Sequence, residues 1–355
     1  MGIFRSIFTV AHVVIVLLLG ATMLNAYIPP KVFPLLNLLS LAFPFLMIAN
    51  LLLCVFWIFS WRKRAFVFLL ISTLFLTPVR RWINYSEPKS EKADFKVLSF
   101  NNKVNEFGKE HVENYINSFD ADFVFLQEAG YSSMGNPILE QIKYSFHNPI
   151  ISFYSKYEII EKGSIPFVSN GDAMYADVMV KGKRIRFVNV YLEPFQLHKS
   201  MVKPTSDLDE NGAKAKSLVR RFMPIFKKHE EQVKILKNFI EKSPYPVILA
   251  GDFNSVPNSY EYYTISGVLK DCFLESGTGL ATSFHDYKIP IRIDYVFSSE
   301  NLKSTYYQVD RSQKLSDHYP VLVKFSLTQI TQLKFFEISL WGNPKFRRTI
   351  FCVFW

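Results

Sequence analysis

Three apolar stretches without a charged residue open the chain, at residues 6–30, 32–61 and 65–79. The first two exceed the ~20 apolar residues that a helix needs to cross a bilayer. The third has 15 residues, about 22 Å as a helix against a hydrocarbon core of about 30 Å. Arg64 before it and Arg80, Arg81 and Trp82 after it can snorkel across that shortfall, so the pattern predicts three spans. Beyond residue 93 the pattern turns to short apolar runs at 95–100, 123–126, 150–154, 176–180, 185–192, 246–250, 293–297 and 321–325. Most are rich in Val, Ile, Phe and Tyr and all have strand length. Residues 111–119 and 213–242 carry helical spacing, the second stretch interrupted or kinked at Pro224. The expected organisation is a membrane anchor of about three transmembrane helices over 1–83, a linker over 84–94, a mixed α/β domain over 95–326 and an apolar, basic tail over 327–355.

Charge changes the picture more than composition does. A net charge of +10 suggests a polyanionic partner, but it is concentrated at the two ends. Residues 1–86 hold seven Lys and Arg and no Asp or Glu, while residues 87–326 hold 30 basic and 30 acidic residues. The domain therefore lacks the overall basic footprint that gives nucleic-acid binders their non-specific affinity. Arg62, Lys63 and Arg64 crowd a short connection that prefers the cytoplasm, which puts the domain on the outer side; Arg80 and Arg81 pull the other way. The apolar runs carry no ionisable carboxylate, lysine or arginine, which weakens a transporter or channel reading. Two further apolar runs follow the first and no small-residue cleavage site intervenes, which argues against a cleavable leader. The lysines and arginines at 214–228 are partly balanced by Glu230, Glu231 and Glu241 and read first as a solvated helix face, with a phosphate-facing patch as the alternative. Cys54, Cys272 and Cys352 have no metal-ligand or disulfide-framework spacing.

The informative polar residues sit at strand ends. Residues 95–100 run into Asn101, 123–127 into Glu128, and 246–251 into Asp252, Phe253 and Asn254; Asp294 interrupts an apolar string, and Asp317-His318 precedes the last strand. One such residue is an ordinary turn former, but five together point to chemistry. A divalent cation such as Mg²⁺ takes hard oxygen ligands and needs only one or two carboxylates beside a phosphate oxygen, and Glu128 is the best single candidate. Asp252 and Asn254, two apart on an extended backbone, point to the same side, so one can orient a water while the other donates to a phosphoryl oxygen. His318, next to Asp317 and held by Asp294, has the logic of a carboxylate-oriented imidazole acting as base or cationic clamp.

In order along the chain, KVLSFN (96–101), FLQE (125–128), NVYL (189–192), GDFN (251–254), RIDY (292–295) and SDHYP (316–320) resemble the endonuclease/exonuclease/phosphatase superfamily over residues 95–326. The resemblance implies a four-layered α/β sandwich, two mixed β-sheets flanked by helices, with the active site at one rim. It implies Mg²⁺- or Mn²⁺-dependent phosphoester hydrolysis without a covalent enzyme intermediate. Carried over residue by residue, Glu128 binds the metal assisted by Asn101 and Asp317, Asp252 positions or deprotonates the attacking water, and Asn254 contacts the phosphate. His318, oriented by Asp294, stabilises or protonates the transition state. Many relatives have a histidine where this chain has Tyr191, whose phenol can still donate to phosphate. A short multi-span anchor before such a domain also looks like membrane-bound bacterial members, which implies a bacterial inner-membrane protein; with the loop charges above, the catalytic domain is expected on the periplasmic side.

The expected function is a membrane-tethered, Mg²⁺-dependent phosphodiesterase or phosphatase that meets the lipid bilayer and a phosphoester substrate, with lipid headgroup, small phosphoester and nucleic acid all open and no obligate protein partner. One alternative is a non-specific or damage-directed endonuclease. Another is a non-catalytic membrane-bound scaffold, whose signature would be loss of Glu128, Asp252 or His318; none is lost. The tail departs from the family pattern. Its Phe335, Phe336, Trp341, Phe346, Phe351, Phe354 and Trp355 with four basic residues leave an interfacial membrane segment and a non-native extension both open.

Overall fold

The computed structural model describes residues 2–87, 92–130, 139, 141–167, 169–286 and 291–327. In chain order its elements are α1 (Gly2–Met23), α2 (Leu35–Phe59), α3 (Arg64–Ser72), α4 (Leu76–Arg80), β1 (Ile83–Asn84), β2 (Phe95–Asn101), α5 (Lys109–Ser118), β3 (Phe123–Gln127), β4 (Tyr144–His147), β5 (Ser152–Ser155), β6 (Ile159–Ser164), β7 (Asp172–Val180) and β8 (Lys183–Tyr191). There follow α6 (Lys199–Val202), α7 (Leu208–Glu241), β9 (Val247–Asp252), α8 (Tyr260–Ser266), β10 (Lys270–Asp271), α9 (Cys272–Ser276), β11 (Gly279–Leu280), β12 (Asp294–Ser298), β13 (Leu302–Val309) and β14 (Val321–Leu327).

Alternation within the strands builds four layers. One six-stranded sheet has the order β13-β14-β2-β3-β5-β4 and the other β10-β12-β9-β8-β7-β6. Phe95 and Val97 of β2 face the second sheet, meeting Phe187, Ile248 and Ala250 in the central core, while Leu98 and Phe100 face Val112 and Ile116 of α5. On the opposite flank Val188, Val190 and Leu249 pack on Val233, Leu236 and Ile240 of α7. Both sheets are mixed: β2–β3 and β8–β9 run parallel and the other pairs antiparallel. This is the expected four-layered α/β sandwich.

Besides the two-residue strands β1, β10 and β11, the sequence pattern misses β4, β6 and β13, all edge strands of the two six-stranded sheets. In β4 and β6 exposed polar positions erase the apolar run that marks a central strand, and in β13 the buried Ser304 and Thr305 interrupt it. The interruption expected at Pro224 is absent. Helix α7 runs through it as one 34-residue helix; Pro224 and Arg220 are both exposed, so a carbonyl left without its helical donor there can be hydrated. Residues 88–91 of the expected linker and 328–355 of the tail lie outside the described residues.

Two helical segments, Ile3–Ala26 and Leu35–Phe59, are long and apolar enough to cross a membrane. Only 17% and 22% of their apolar windows are buried, too little for core helices of a soluble protein. The third apolar run, expected as a span, does not form one helix of spanning length: a 3-10 turn at Thr73–Phe75 separates α3 from α4, and Pro78 falls inside α4. It nevertheless returns along α2, with Ala65 and Phe68 packed on Cys54 and Trp57 at one end and Phe75 on Phe43 at the other.

This helical unit is docked on the α/β domain through buried polar side chains. Asn37 of α2 donates from Nδ2 to both oxygens of the buried Glu261 carboxylate at 2.8 and 2.7 Å and accepts from Tyr260 N at 2.7 Å. Asn25 and Ser40 both donate to the Asn258 carbonyl, at 3.0 and 2.8 Å. Arg81 donates to Asn258 Oδ1 at 2.7 Å and stacks over Tyr262 and Tyr263. Glu261 also receives His229 Nδ1 at 2.9 Å, and His229 Nε2 faces the Glu193 carbonyl at 2.7 Å. Both ring nitrogens thus face acceptors, the geometry of an imidazolium paired with a carboxylate. Burial alone would raise the Glu261 pKa, but the His229 hydrogen bond and charge outweigh it and hold the carboxyl below its ordinary range. Asn37→Ala strips two donors from this carboxylate and is expected to cost about 1–3 kcal/mol. Thermal melting of the full chain in detergent should show a Tm roughly 2–4 °C lower per kcal/mol; an unchanged Tm would count against this docking.

Candidate active site

Parallel pairing brings strand ends together, and the polar residues are at those ends. In β2–β3, Asn101 is level with Gln127; in β8–β9, Tyr191 is level with Asp252; and Asp294, the first residue of β12, lies opposite Asp252. The two sheets are joined at this rim by buried amides, Gln127 donating to Asn189 Oδ1 at 2.7 Å and Asn189 donating to the carbonyls of Leu126 and Ser152 at 3.0 and 2.9 Å. Glycine is required at 251: its φ is +148°, and a Cβ there would lie 1.9 Å from the Val190 carbonyl oxygen. Glu128 and Asn254 both adopt left-handed backbone, at φ +48° and +45°, a strain that turns them off their strands toward a common space.

That space is a cavity of about 590 Å³. Glu128, Tyr191, Asn254, Asp317 and His318 line it, and Asn101, Asp252 and Asp294 stand behind them. Glu128 Oε1 accepts from Asn101 Nδ2 at 3.0 Å and from the Tyr191 hydroxyl at 2.9 Å, and among the described residues no donor reaches Oε2. Asn101 Nδ2 also donates to Asp252 Oδ2 at 3.1 Å, while its Oδ1 accepts from Lys103 N at 3.1 Å. In this arrangement Asn101 bridges two carboxylates, and the side-chain oxygen expected to face a metal is turned to the backbone. Tyr191 likewise points its hydroxyl at Glu128.

Asp252 and His318 form the buried part of the site. Asp252 Oδ1 accepts from Asn254 N at 2.7 Å, and Oδ2 lies 3.8 Å from His318 Nε2. The other ring nitrogen, Nδ1, is 2.9 Å from Asp294 Oδ2. Burial pushes the Asp252 carboxyl up, against the opposing pull of the His318 charge. For His318, burial disfavours the charged ring, but Asp294 and Asp252 outweigh it and raise its pKa above the ordinary imidazole range.

Sequence reasoning missed the residues that hold these groups in place. Ser283 Oγ accepts from Ile293 N and Asp294 N at 3.1 and 3.0 Å, and its carbonyl accepts from Tyr319 N at 2.6 Å, which ties the Asp294 and His318 segments together. The ring of Phe284 packs edge-on against His318 with centroids 5.0 Å apart. Lys103 meets Asp317 Oδ2 at 3.1 Å from a left-handed turn over Lys103, Val104 and Asn105. No motif marks these residues; only the nearness of Lys103 to Asn101 offers a signal.

A raised folded-state pKa means that His318 contributes stability at pH below its unfolded value of about 6.5 and loses it as pH rises through the folded value. NMR titration of the ring is expected to show His318 still protonated at neutral pH, and Asp294→Asn should bring its pKa down. An ordinary titration near 6.5 in the native chain would contradict the relay.

Residues 98–318, more than half of the chain, match the Endonuclease/Exonuclease/phosphatase family. Residues 5–82 match a domain of unknown function (DUF8431). No curated protein matches the chain significantly in sequence. Similar solved structures include an endonuclease/exonuclease/phosphatase from Bacteroides vulgatus, with 18% identity over 66% of this chain and 98% of that one and a TM-score of 0.48. The human nocturnin catalytic domain with bound sulfate shows 15% identity over 69% and 100%, with a TM-score of 0.49. The mannosyl-6-phosphatase of Bacteroides thetaiotaomicron shows 18% identity over 65% and 99%, with a TM-score of 0.45. From the strand ending in Asn101 to the histidine at 318, the chain belongs to the endonuclease/exonuclease/phosphatase family, whose members are hydrolases of phosphoesters that use divalent metal ions.

Proposed function

We propose that the chain is a membrane-tethered, Mg²⁺- or Mn²⁺-dependent phosphoester hydrolase that uses a water nucleophile and forms no covalent intermediate on the protein. The observation that carries this reading is the convergence of Glu128, Asn254, Asp317 and His318 on one cavity, with Asp252 directly behind His318. The carboxylates of Glu128 and Asp317 are hard oxygen donors on that cavity and would hold the metal, Asn101 keeping Glu128 in place. When bound, the ion supplies positive charge against the phosphate oxygens.

The remaining chemistry is assigned to the chain's own groups. Asp252, its pKa raised by burial, is suited to take a proton from water near neutral pH. Asn254, held in left-handed backbone, contacts the phosphate. His318, charged and oriented by Asp294, stabilises the negative charge that develops on the phosphoryl oxygens and can protonate the leaving oxygen. Asp252, Asp294 and His318 also stand close enough together to suggest a metal site of their own. A protonated imidazole is no ligand, however, so we read this trio as a proton relay.

Tethering rests on α1 and α2, and on their docking through Asn25, Asn37 and Ser40, which a cleavable leader would not need. Arg62, Lys63 and Arg64 lie at the end of α2 away from the α/β domain, whereas Arg81 is engaged by Asn258. This supports a domain facing away from the cytoplasm, in an inner membrane.

Glu128→Gln, Asp252→Asn and His318→Ala should each lower turnover of bis-para-nitrophenyl phosphate by on the order of 10² or more with the fold kept. Full activity in all three would remove the mechanism. Chelation should abolish turnover, and added Mg²⁺ or Mn²⁺ should restore it, with Glu128→Gln needing more metal; hydrolysis that survives chelation would refute the metal assignment.

A further inference from the structure

The catalytic cavity is walled on one side by the anchor. Leu41 and Phe45, one turn apart on α2, line the same cavity as Glu128 and His318. Phe45 is also 65% exposed, so the apolar wall continues from the cavity onto the outer surface of α2. Asn37, which docks α2 on Glu261, lines the cavity too and lies about 12 Å along the helix axis from Phe45. Leu218 and Phe222 of α7 and Val256 from the loop after β9 line the same cavity. Glu128, Asn254, Asp317 and His318 bring the candidate catalytic groups to the same cavity, whose other polar lining residues include Asn37, Gln196, Ser255 and Ser259.

A small, charged phosphoester or a nucleic-acid strand would leave this apolar surface uncovered and facing water. We propose that the substrate is a bilayer-resident lipid phosphoester, whose hydrocarbon chain lies against Leu41, Phe45, Leu218 and Phe222 while its phosphate reaches the Glu128–His318 end. The anchor is then a wall of the substrate site as well as a tether. This rests on the phosphoester-hydrolase reading above and specifies its substrate class.

The test uses the full chain in phospholipid nanodiscs with Mg²⁺ and a series of alkyl para-nitrophenyl phosphates, from methyl through butyl and octyl to dodecyl. The expected result is a KM that falls by about two- to fourfold per added methylene until the cavity is filled. Partitioning of long chains into the nanodisc could mimic this trend, so two cavity-filling variants, Leu218→Trp and Val256→Trp, are assayed alongside. In each, the ratio of dodecyl to methyl kcat/KM should fall at least tenfold. Equal kcat/KM for methyl and dodecyl esters would overturn the lipid assignment while leaving the hydrolase intact. So would a long-chain preference that both variants retain unchanged. No hydrolysis of any ester would take down both readings.

Discussion

The site depends on a single constraint of strand direction. Each sheet has one parallel pair near its centre, β2–β3 in one and β8–β9 in the other. Parallel strands end on the same side, so Asn101 emerges beside Gln127 and Tyr191 beside Asp252, and the packing of the two sheets brings both pairs to one rim. Register then decides which of them face inward. A shift of one residue would exchange the two faces of a strand, turning Phe95 and Val97 out of the central core and Leu98 and Phe100 into it. The apolar core therefore enforces the geometry of the polar rim. The Gln127–Asn189 amide bridge locks the two sheets to each other where the site requires it.

Burial of charge sets the second condition. Asp252, Asp294 and His318 are removed from water, and carboxylates so placed are tolerable only with donors or opposite charge beside them. The same logic recurs at two joints with the helical unit. Arg292 makes a bidentate pair with Asp271 at 2.8 and 2.6 Å and donates to the Arg81 carbonyl, while Glu261 joins His229 to Asn37. Removing one member of such a pair leaves an uncompensated buried charge, a larger loss than the pair's net contribution. Asn37 and Arg81 of the helical unit thus help complete the electrostatics of the domain.

Much of this was legible because chemistry leaves few alternatives. GDFN and SDHYP announce a glycine-crowded strand end and an acid–histidine pair, and both lie where the cavity is. Central strands were readable from their continuous apolar runs, whereas β4 and β6, edge strands with exposed polar positions, and β13, broken by buried Ser304 and Thr305, were not. Contacts between residues far apart in sequence had no signal at all. Arg292 belongs to a recognisable motif, yet its pairing with Asp271 depends on how α8 and β10 return to the sheet. Asn101 was identifiable as a site residue, but the direction of its amide is set by Lys103 N and the carboxylates around it. Leu41 and Phe45 read as ordinary span residues because periodicity cannot say what a helix will be folded against.

That last point bears on how an amphiphile would be handled. A water-soluble enzyme acting on a membrane lipid must either draw the chain out through water or insert part of itself into the bilayer, and the first route gives up the hydrophobic burial that holds the lipid in place. Here the exposed face of α2 and the cavity wall are made by the same helix, with Phe45 belonging to both. A chain sliding along that helix would exchange one apolar neighbour for another, with little aqueous exposure between. Substrate transfer would then depend on the fixed seating of α2 on α8, which Asn37 and Glu261 provide. In that arrangement the buried Asn37–Glu261 hydrogen bonds would stabilise the fold and fix the geometry of substrate entry together.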